Sequence, residues 1–278
     1  MTHEMIWLDE GLVPADDATV PVSDHGLTVG DGVFETRKLV DGRPFALRRR
    51  LARLRRSAEG LGLDPGRSDD QLAAAVAAVV GANDLATGRV RLTVTGGPGP
   101  YGSERGTGAA TLIVAAGPLA PAAADVDVVT VPWRRNEHGA VAGLKTTSYA
   151  ENVVALAEAR RRGAGEAILA NTAGQLCEGT GTNVFLVYDG APMTPTLASG
   201  CLAGVTRQLV LEAVPDIVEL DVPLERLAMA DEAFLTSSTR DVQAIRAVDG
   251  VVLPACPGPW TQRAAAAFAA LAAEDLDP

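Results

Sequence analysis

Short apolar runs and longer amphipathic stretches follow one another along this 278-residue chain in no regular order. Residues 5–13 and 32–47 are typical of paired strands, and Asp41-Gly42 in the second pair is typical of a hairpin turn. Leu or Ala recurs at positions 47, 51, 54, 58 and 61, which predicts a helix over residues 47–61. A doubly wound sheet would require strands and helices in strict alternation, so the mixture predicts an α+β fold.

The remaining pattern divides the chain into two predicted domains joined by a linker. Residues 117–125 carry two prolines and neither a helical nor a strand period, as is typical of a linker. We therefore predict an N-terminal domain over residues 1–116 and a C-terminal domain over residues 126–278. Further helices are predicted near 69–82, 148–162, 203–214 and 260–273, and further strands at 88–97, 110–117, 126–133, 165–171, 183–190 and 232–238.

Composition narrows the classes of function. Apolar residues make up 47% of the chain and the net charge is −11, which indicates a globular protein and argues against a nucleic-acid surface. The chain shows no apolar span of membrane length, no signal-peptide pattern and no CxxC spacing, and these features predict a reduced, cytoplasmic protein without membrane contact. Three scattered histidines, His3, His25 and His138, supply too few ligands for a His-based metal site, so no metal is predicted.

Lys145 is the first candidate for chemistry. It is one of two lysines in a chain that otherwise uses arginine, and it lies between an apolar run at 142–144 and a predicted helix start. Ser148 and Glu151 fit a capping box at that start. A helix N-terminus and an apolar wall both disfavour the ammonium form, and therefore favour the neutral amine that attacks a carbonyl group. An exposed lysine in a turn is the competing interpretation.

Three further segments carry polar groups at strand or helix ends. Glu178 precedes a glycine-rich turn and an apolar strand, where a buried carboxylate needs a cationic partner such as a ring nitrogen. Gly204 precedes Val205 and Thr206 at a predicted helix start, whose N–H groups and hydroxyl suit a phosphate. The strand at 232–238 runs into hydroxyl residues that suit a second phosphate contact. An ordinary turn or helix cap also explains each segment taken alone.

Taken together and in this order, the segments resemble the fold-type IV pyridoxal-phosphate enzymes. The matching stretches are DHGLTVGDGVFET (24–36), RRRLARLRRSAEGLGL (48–63), GLKTTSYAENV (143–153), CEGTGTNVF (177–185), SGCLAGVTR (199–207) and TSSTRDVQ (236–243). This group contains branched-chain and D-amino-acid aminotransferases, (R)-amine transaminases and aminodeoxychorismate lyases. The resemblance covers nearly the whole chain. It implies a small N-terminal α/β domain, a larger C-terminal mixed-sheet domain, and the cofactor pyridoxal 5′-phosphate between them.

The resemblance also implies a role for each matched residue. Lys145 corresponds to the Schiff-base lysine, which carries the proton between the substrate α-carbon and the cofactor. Glu178 corresponds to the carboxylate that keeps the pyridine nitrogen protonated, and Arg53 to the phosphate arginine. The other implied cofactor contacts are Tyr149, Val205, Thr206, Ser238 and Thr239. Imine chemistry needs a cation that can lose its proton, which arginine cannot do, and this explains a lysine at position 145.

The predicted substrate residues come from one strand and one loop. Alternation along the strand places Phe34, Thr36 and Lys38 on one face, which we interpret as pocket wall, with packing on a core as the alternative. The loop at 96–108 contains Arg105 but lacks the R-x-H pair with which D-amino-acid aminotransferases bind the substrate carboxylate. Arg105 is therefore either a lone carboxylate anchor or an ordinary loop arginine.

The predicted function is a pyridoxal-phosphate aminotransferase that moves an amino group between a D-amino acid, or a related amine, and a 2-keto acid in ping-pong half-reactions. Glu35 stands where the lyases tend to carry threonine, which favours a transaminase. Aminodeoxychorismate lyase, giving 4-aminobenzoate and pyruvate, is the main alternative, and a branched-chain L-amino-acid aminotransferase is the second. The resemblance further implies a homodimer.

Overall fold

A computed structural model describes residues 4–278 and divides them into two compact units. The first unit comprises the described residues up to Ala120 together with Leu144–Tyr149 and Leu276–Pro278, and the second comprises Pro121–Gly143 and Ala150–Asp275. The division after Ala120 falls inside the predicted linker. The two short segments that return to the first unit differ from the predicted linear boundaries, because each forms hydrogen bonds there: Phe34 N–H donates to the Lys145 carbonyl and Ala46 N–H to the Leu276 carbonyl.

The first unit contains a six-stranded sheet in which every pairing is antiparallel. The sheet order is β2-β1-β6-β5-β3-β4. Asp41 and Gly42 both adopt positive φ angles, 49° and 71°, which a two-residue hairpin turn of this type requires, so the predicted hairpin is confirmed. The elements are β1 (Met5–Leu8), β2 (Gly11–Pro14), α1 (His25–Thr28), β3 (Gly32–Val40), β4 (Arg43–Pro44), α2 (Leu47–Leu61), α3 (Asp69–Ala82), β5 (Gly88–Thr95) and β6 (Thr111–Gly117), with a 3₁₀ helix at Ala15–Asp17.

Helix α2 begins and ends where the apolar periodicity predicts, and α3 begins and ends at the predicted residues 69 and 82. Both bury their apolar stripe against the sheet, and one cluster joins Leu54 of α2, Val76 of α3, Val33 of β3 and Val90 of β5. The face of β3 that carries Val33 and Leu39 therefore points at α2. Glu35, on the same face of β3, binds Arg53 of α2.

The second unit contains a nine-stranded sheet with parallel and antiparallel pairs, so the α+β prediction is confirmed. Its order is β12-β11-β10-β13-β14-β7-β8-β9, with β15 beside β14, and an apolar cluster that includes Ile168, Val184 and Leu235 forms the core. The elements are β7 (Asp125–Arg135), α4 (Ala150–Arg161), β8 (Glu166–Asn171), β9 (Leu176–Gly179), β10 (Asn183–Tyr188), β11 (Ala191–Thr194), α5 (Val205–Ala213), β12 (Val218–Glu219), β13 (Glu232–Ser237), β14 (Asp241–Val248), β15 (Val251–Val252) and α6 (Pro259–Glu274), with 3₁₀ helices at Leu197–Ser199 and Leu224–Met229.

All predicted helices of the second unit are present, and only their ends differ. Helix α4 begins at Ala150, two residues after the predicted start, and the Ser148 hydroxyl donates to the Gly30 carbonyl at 3.0 Å. The strands that the sequence did not predict, β9, β11, β12, β14 and β15, include several that are only two to four residues long, too short for a periodic signal. Over residues 4–278, no helix combines the length and the apolar character needed to cross a bilayer.

We expect Leu54→Ala to lower the free energy of unfolding by about 2–5 kcal/mol, because Leu54 is fully buried between α2 and the sheet. Urea unfolding followed by circular dichroism measures the change. Arg56→Ala is the matched control on an exposed position of the same helix, with an expected change within about 0.5 kcal/mol. An equal loss in both variants would contradict a specific contribution of Leu54 to this core.

Candidate active site

Residues 144–149 of the first unit run along the free edge at the start of β3. Val33 and Thr146 form an antiparallel bridge, and Thr147 N–H donates to the Gly32 carbonyl at 2.8 Å. Lys145 N–H donates to the Ser57 hydroxyl of α2 at 3.0 Å. The backbone of Lys145 is therefore fixed by a strand on one side and a helix on the other.

The Lys145 amine lies among aromatic rings and cations. Its Nζ is 3.2 Å from the Tyr149 hydroxyl and 4.2 Å from the centre of the Phe34 ring. Burial, followed by the nearby Arg53 cation, lowers the pKa of Lys145 to about 7. The sequence predicted a neutral amine from an apolar wall and a helix dipole, and the structure assigns the shift to burial and to neighbouring charge.

An ion pair between β3 and α2 lies next to this amine. Arg53 donates from Nε and Nη2 to the two carboxylate oxygens of Glu35, both at 2.7 Å. Burial alone would raise the pKa of Glu35, but the Arg53 cation and its hydrogen bonds outweigh burial and lower it. The predicted phosphate arginine is thus oriented by a carboxylate, in the bidentate geometry that guanidinium favours.

The face of β3 opposite α2 carries the predicted substrate residues. Thr36 and Lys38 are partly exposed there, and Phe34 contacts Tyr149 edge-to-face with 5.0 Å between ring centres. The predicted common face is confirmed. Arg91 of β5 is paired with Thr36 across the sheet, and its guanidinium carbon lies 3.6 Å from the centre of the Phe34 ring. Arg91 and Lys145 therefore contact one aromatic ring.

Arg105 lies in a different environment from this face. It donates from Nε and Nη2 to the Asp31 carboxylate, each at 2.6 Å, and from Nη1 to the Gly62 carbonyl at 2.6 Å. The Asp31 bonds raise the pKa of Arg105 further above its ordinary value. A substrate carboxylate would have to displace these contacts, so the geometry favours the interpretation of Arg105 as a loop arginine.

Glu178 of the second unit lies on β9, and two groups fix its carboxylate. The Nε of Arg135 is 3.0 Å from one oxygen, and Leu202 N–H donates to the other at 2.9 Å. The flanking Cys177 and Cys201 are buried, and burial raises the pKa of both thiols, that of Cys201 to about 11. The carboxylate, rather than a thiolate, is therefore the chemically available group in this segment.

Helix α5 begins with Gly204 at its N-cap, ahead of Val205 and the buried Thr206. A Cβ at Gly204 would lie 2.0 Å from the Oδ1 of Asn183, so this close approach requires glycine. Because glycine has no side-chain acceptor, the first N–H groups of α5 are left for another acceptor, as the phosphate prediction requires.

Ser238 and Thr239 form the turn between β13 and β14, and α5 packs against β13. The hydroxyl of Thr236 on β13 is buried and has no hydrogen-bond partner among residues 4–278. The residues of the second unit that are predicted to bind the phosphate therefore belong to elements that pack against each other. Across the same described residues, no group of three or more His, Cys, Asp or Glu side chains is placed to bind a metal ion.

The chain matches a family model described as Amino-transferase class IV over residues 32–248. It belongs to the class IV aminotransferases. This class IV aminotransferase is 31% identical to the branched-chain-amino-acid aminotransferase of Salmonella typhimurium, over 95% of its own length and 92% of the relative's. It is 29% identical to the D-alanine aminotransferase of Bacillus licheniformis over 90% and 91% of the two chains. The crystal structure of the branched-chain aminotransferase from Thermoproteus uzoniensis with norvaline matches it with a TM-score of 0.89 at 32% identity, covering 96% of this chain and 94% of that one.

The cofactor of this aminotransferase is pyridoxal 5′-phosphate, as in the rest of its family. The residues present fit that cofactor. The first unit offers an amine with a pKa of about 7, the form needed to react with an aldehyde near neutral pH. The second unit offers a fixed carboxylate at Glu178, an uncapped helix start at Val205 and a buried hydroxyl at Thr236 that lacks a partner among the described residues.

Four contacts of the aminotransferase were not predicted from its sequence. Ser57 follows Arg53 by one helical turn, so the two share a face of α2, but no local pattern marks Ser57 as a contact of Lys145. Arg91 is an exposed residue of a strand whose neighbours are buried, which was also readable from alternation. The pairing of Glu35 with Arg53 and of Arg135 with Glu178 joins elements far apart in sequence, for which no local pattern exists.

We expect the apoenzyme to capture the aldehyde of pyridoxal 5′-phosphate at a rate that rises with pH and levels off above about pH 8, because Lys145 loses its proton near pH 7. An ordinary lysine, with a pKa of 10.5, would still gain reactivity beyond pH 9. Stopped-flow absorbance measures the rate, and Lys145→Ala, which keeps Lys38, is the control for capture elsewhere. A rate that climbs steadily to pH 10 would contradict the low pKa.

Proposed function

We propose that this enzyme transfers the amino group of a small D-amino acid to a 2-keto acid such as pyruvate or 2-oxoglutarate in ping-pong half-reactions. The observation that carries the proposal is that Lys145, whose pKa is lowered to about 7, contacts Phe34 on the strand face that also presents two cations, Arg91 and Lys38. A cationic face suits the carboxylate that amino and keto acids share. Branched-chain L-amino acids carry the same carboxylate, so the choice of a D-amino acid rests on similarity to the D-alanine aminotransferase of Bacillus licheniformis.

Each matched residue has a proposed task. When bound, pyridoxal 5′-phosphate supplies an aldehyde that accepts the amino group and a ring that withdraws electrons from the substrate α-carbon. Lys145 would hold the cofactor and would move the proton at the substrate α-carbon, and the Tyr149 hydroxyl lies 3.2 Å from its Nζ. Glu178 holds a proton on the ring nitrogen, since a nearby carboxylate favours the cationic ring.

The phosphate contacts are proposed for Arg53, for Val205 and Thr206 at the start of α5, and for Ser238 and Thr239 in the β13–β14 turn. Helix N–H groups and hydroxyls donate to phosphate oxygens, and the helix dipole favours a negative charge there. Arg53 has a second effect that does not depend on the phosphate: its charge lowers the pKa of Lys145.

A branched-chain L-amino-acid donor is the second candidate, and similarity to branched-chain aminotransferases from Salmonella typhimurium and Thermoproteus uzoniensis supports it. Similarity to the D-alanine aminotransferase of Bacillus licheniformis supports the first candidate. The homodimer and the cytoplasmic location remain predictions from the sequence.

The donor half-reaction distinguishes the candidates. We expect D-alanine to shift the absorbance of the bound cofactor from the visible to the near-ultraviolet in single-turnover experiments, with L-leucine and (R)-1-phenylethylamine as the competing donors. A faster shift with L-leucine than with D-alanine would favour the branched-chain candidate. If no donor changes the spectrum while aminodeoxychorismate yields 4-aminobenzoate, the enzyme is a lyase and the transaminase proposal is wrong.

Arg91 is our proposed anchor for the substrate carboxylate. A carboxylate anchor must lie close to the lysine that acts at the α-carbon, because the carboxylate carbon of an amino acid is bonded directly to its α-carbon. Arg91 meets this condition, since its guanidinium and the Lys145 amine contact the same Phe34 ring. Partial burial lowers the pKa of Arg91, but an arginine stays charged at neutral pH.

We expect Arg91→Gln to raise the KM for D-alanine by about tenfold or more, because a charge-assisted contact to the carboxylate is lost. The value for (R)-1-phenylethylamine, which has no carboxylate, should change by less than about twofold by the same reasoning. Arg89→Gln, an exposed arginine on the same strand and face, is the matched control. Equal effects on both donors would exclude Arg91 as the anchor.

A further inference from the structure

Glu166 is a buried carboxylate in the second unit that neither the sequence nor the proposed chemistry uses. It lies at the start of β8 and is 1% exposed. One oxygen accepts from the N–H groups of Ala167 and Thr180, each at 3.1 Å, and from the Thr180 hydroxyl. The other accepts from the Thr182 hydroxyl at 3.3 Å. Three of these four bonds come from a single turn, residues 180–182.

This turn joins the strand that carries Glu178 to the strand that begins with Asn183. It is tight: Gly179 N–H donates to the Thr182 carbonyl at 2.8 Å, and a Cβ at Gly179 would lie 2.2 Å from the Thr182 hydroxyl. The position of Glu178 on one side and of Asn183 on the other therefore depends on how the turn is held.

Asn183 connects the turn to the segment that leads into α5. Its Nδ2 donates to the Leu202 carbonyl at 2.8 Å, and its Oδ1 fills the space beside Gly204. Leu202 N–H in turn donates to the Glu178 carboxylate. Hydrogen bonds through Leu202 therefore connect Glu178, Asn183 and the segment ahead of Val205, on both sides of the turn at residues 180–182.

Glu166 also reaches the second phosphate segment. An Nη1 of Arg240 lies 3.5 Å from its Oε2, and Arg240 directly follows Ser238 and Thr239. Arg240 also closes the turn between β13 and β14, because its backbone N–H donates to the Ser237 hydroxyl at 3.2 Å. One buried carboxylate is therefore linked to all three segments of this unit that the proposed function assigns to the cofactor.

We propose that Glu166 is a positioning residue for the cofactor: it sets the Glu178 strand, the start of α5 and the 238–239 turn in register with one another. This inference rests on the proposed roles of those segments. A buried charge is costly, and closing a turn requires only neutral acceptors, so stability alone gives no reason for a carboxylate here. A single carboxylate that accepts four hydrogen bonds and also pairs with Arg240, so that it joins three elements, does give one.

Glu232 provides a matched comparison within the same unit. It is 2% exposed and accepts from Trp260 N–H, Thr261 N–H and the Thr261 hydroxyl at 2.7–2.9 Å. Those donors belong to the start of α6, which carries no proposed cofactor contact. Glu166→Gln and Glu232→Gln therefore remove the same charge from equally buried sites that differ in what they hold.

The experiment measures the dissociation constant of pyridoxamine 5′-phosphate from the apoenzyme by calorimetry, since this cofactor form cannot bond covalently to Lys145. We expect Glu166→Gln to weaken binding by about tenfold or more, as loss of charge-assisted hydrogen bonds implies, and to lower kcat while the donor KM stays within about twofold. Glu232→Gln should lower Tm by about as much as Glu166→Gln does. It should leave both the dissociation constant and kcat within about twofold of wild type.

Thr180→Val removes one bond from the turn and provides a milder variant if Glu166→Gln does not fold; it should shift the dissociation constant in the same direction. Equal effects of the two Gln variants, or an unchanged dissociation constant in Glu166→Gln or Thr180→Val, would overturn the inference while leaving the proposed function intact. Wild-type enzyme that fails to bind pyridoxamine 5′-phosphate would overturn both.

Discussion

A lysine amine whose pKa is lowered to about 7 is the feature on which the chemistry of the first unit depends. Burial is the largest cause of the lowered pKa of Lys145. The cations Arg53, Arg91 and Arg50 lower it further, and the Glu35 carboxylate opposes them. Both oxygens of Glu35 are occupied by Arg53. Because arginine does not release its proton at any pH the fold survives, lysine is the group in this cluster that becomes neutral. The reactive form of Lys145 is thus a consequence of what surrounds it.

The backbone around Lys145 serves the same constraint. Residues on both sides of 144–149 belong to the second unit, yet this segment bonds to β3 and to Ser57 of α2. Arg53 and Ser57 lie one turn apart on α2, so one helix face holds the cation that shifts the pKa and the hydroxyl that fixes the lysine backbone. A change in how α2 packs would therefore alter both at once.

The second unit differs from the first in that three carboxylates are buried within it. Glu166, Glu178 and Glu232 each accept backbone N–H donors, and Glu166 and Glu178 also have an arginine nearby. Buried carboxylates remain acceptable when every oxygen has donors of this kind. The consequence is rigidity: strand, turn and helix ends that are far apart in sequence are held to one another at the segments proposed to bind the cofactor.

Sequence alone determined the elements and the candidate chemistry. Apolar periodicity predicted α2, Asp41-Gly42 predicted a hairpin, and six ordered motifs marked Lys145 and Glu178, because these are local signals that neighbouring residues carry. It did not separate the arginines of α2: as a solvated basic face Arg50 and Arg53 look like Arg56, yet the first two are buried. Only the tertiary structure decided that Arg53 pairs with Glu35, that Arg91 contacts Phe34 and that Glu166 accepts from Thr180. Those contacts depend on which strands and helices pack together. A side chain becomes buried beside a particular charge only after that packing has formed.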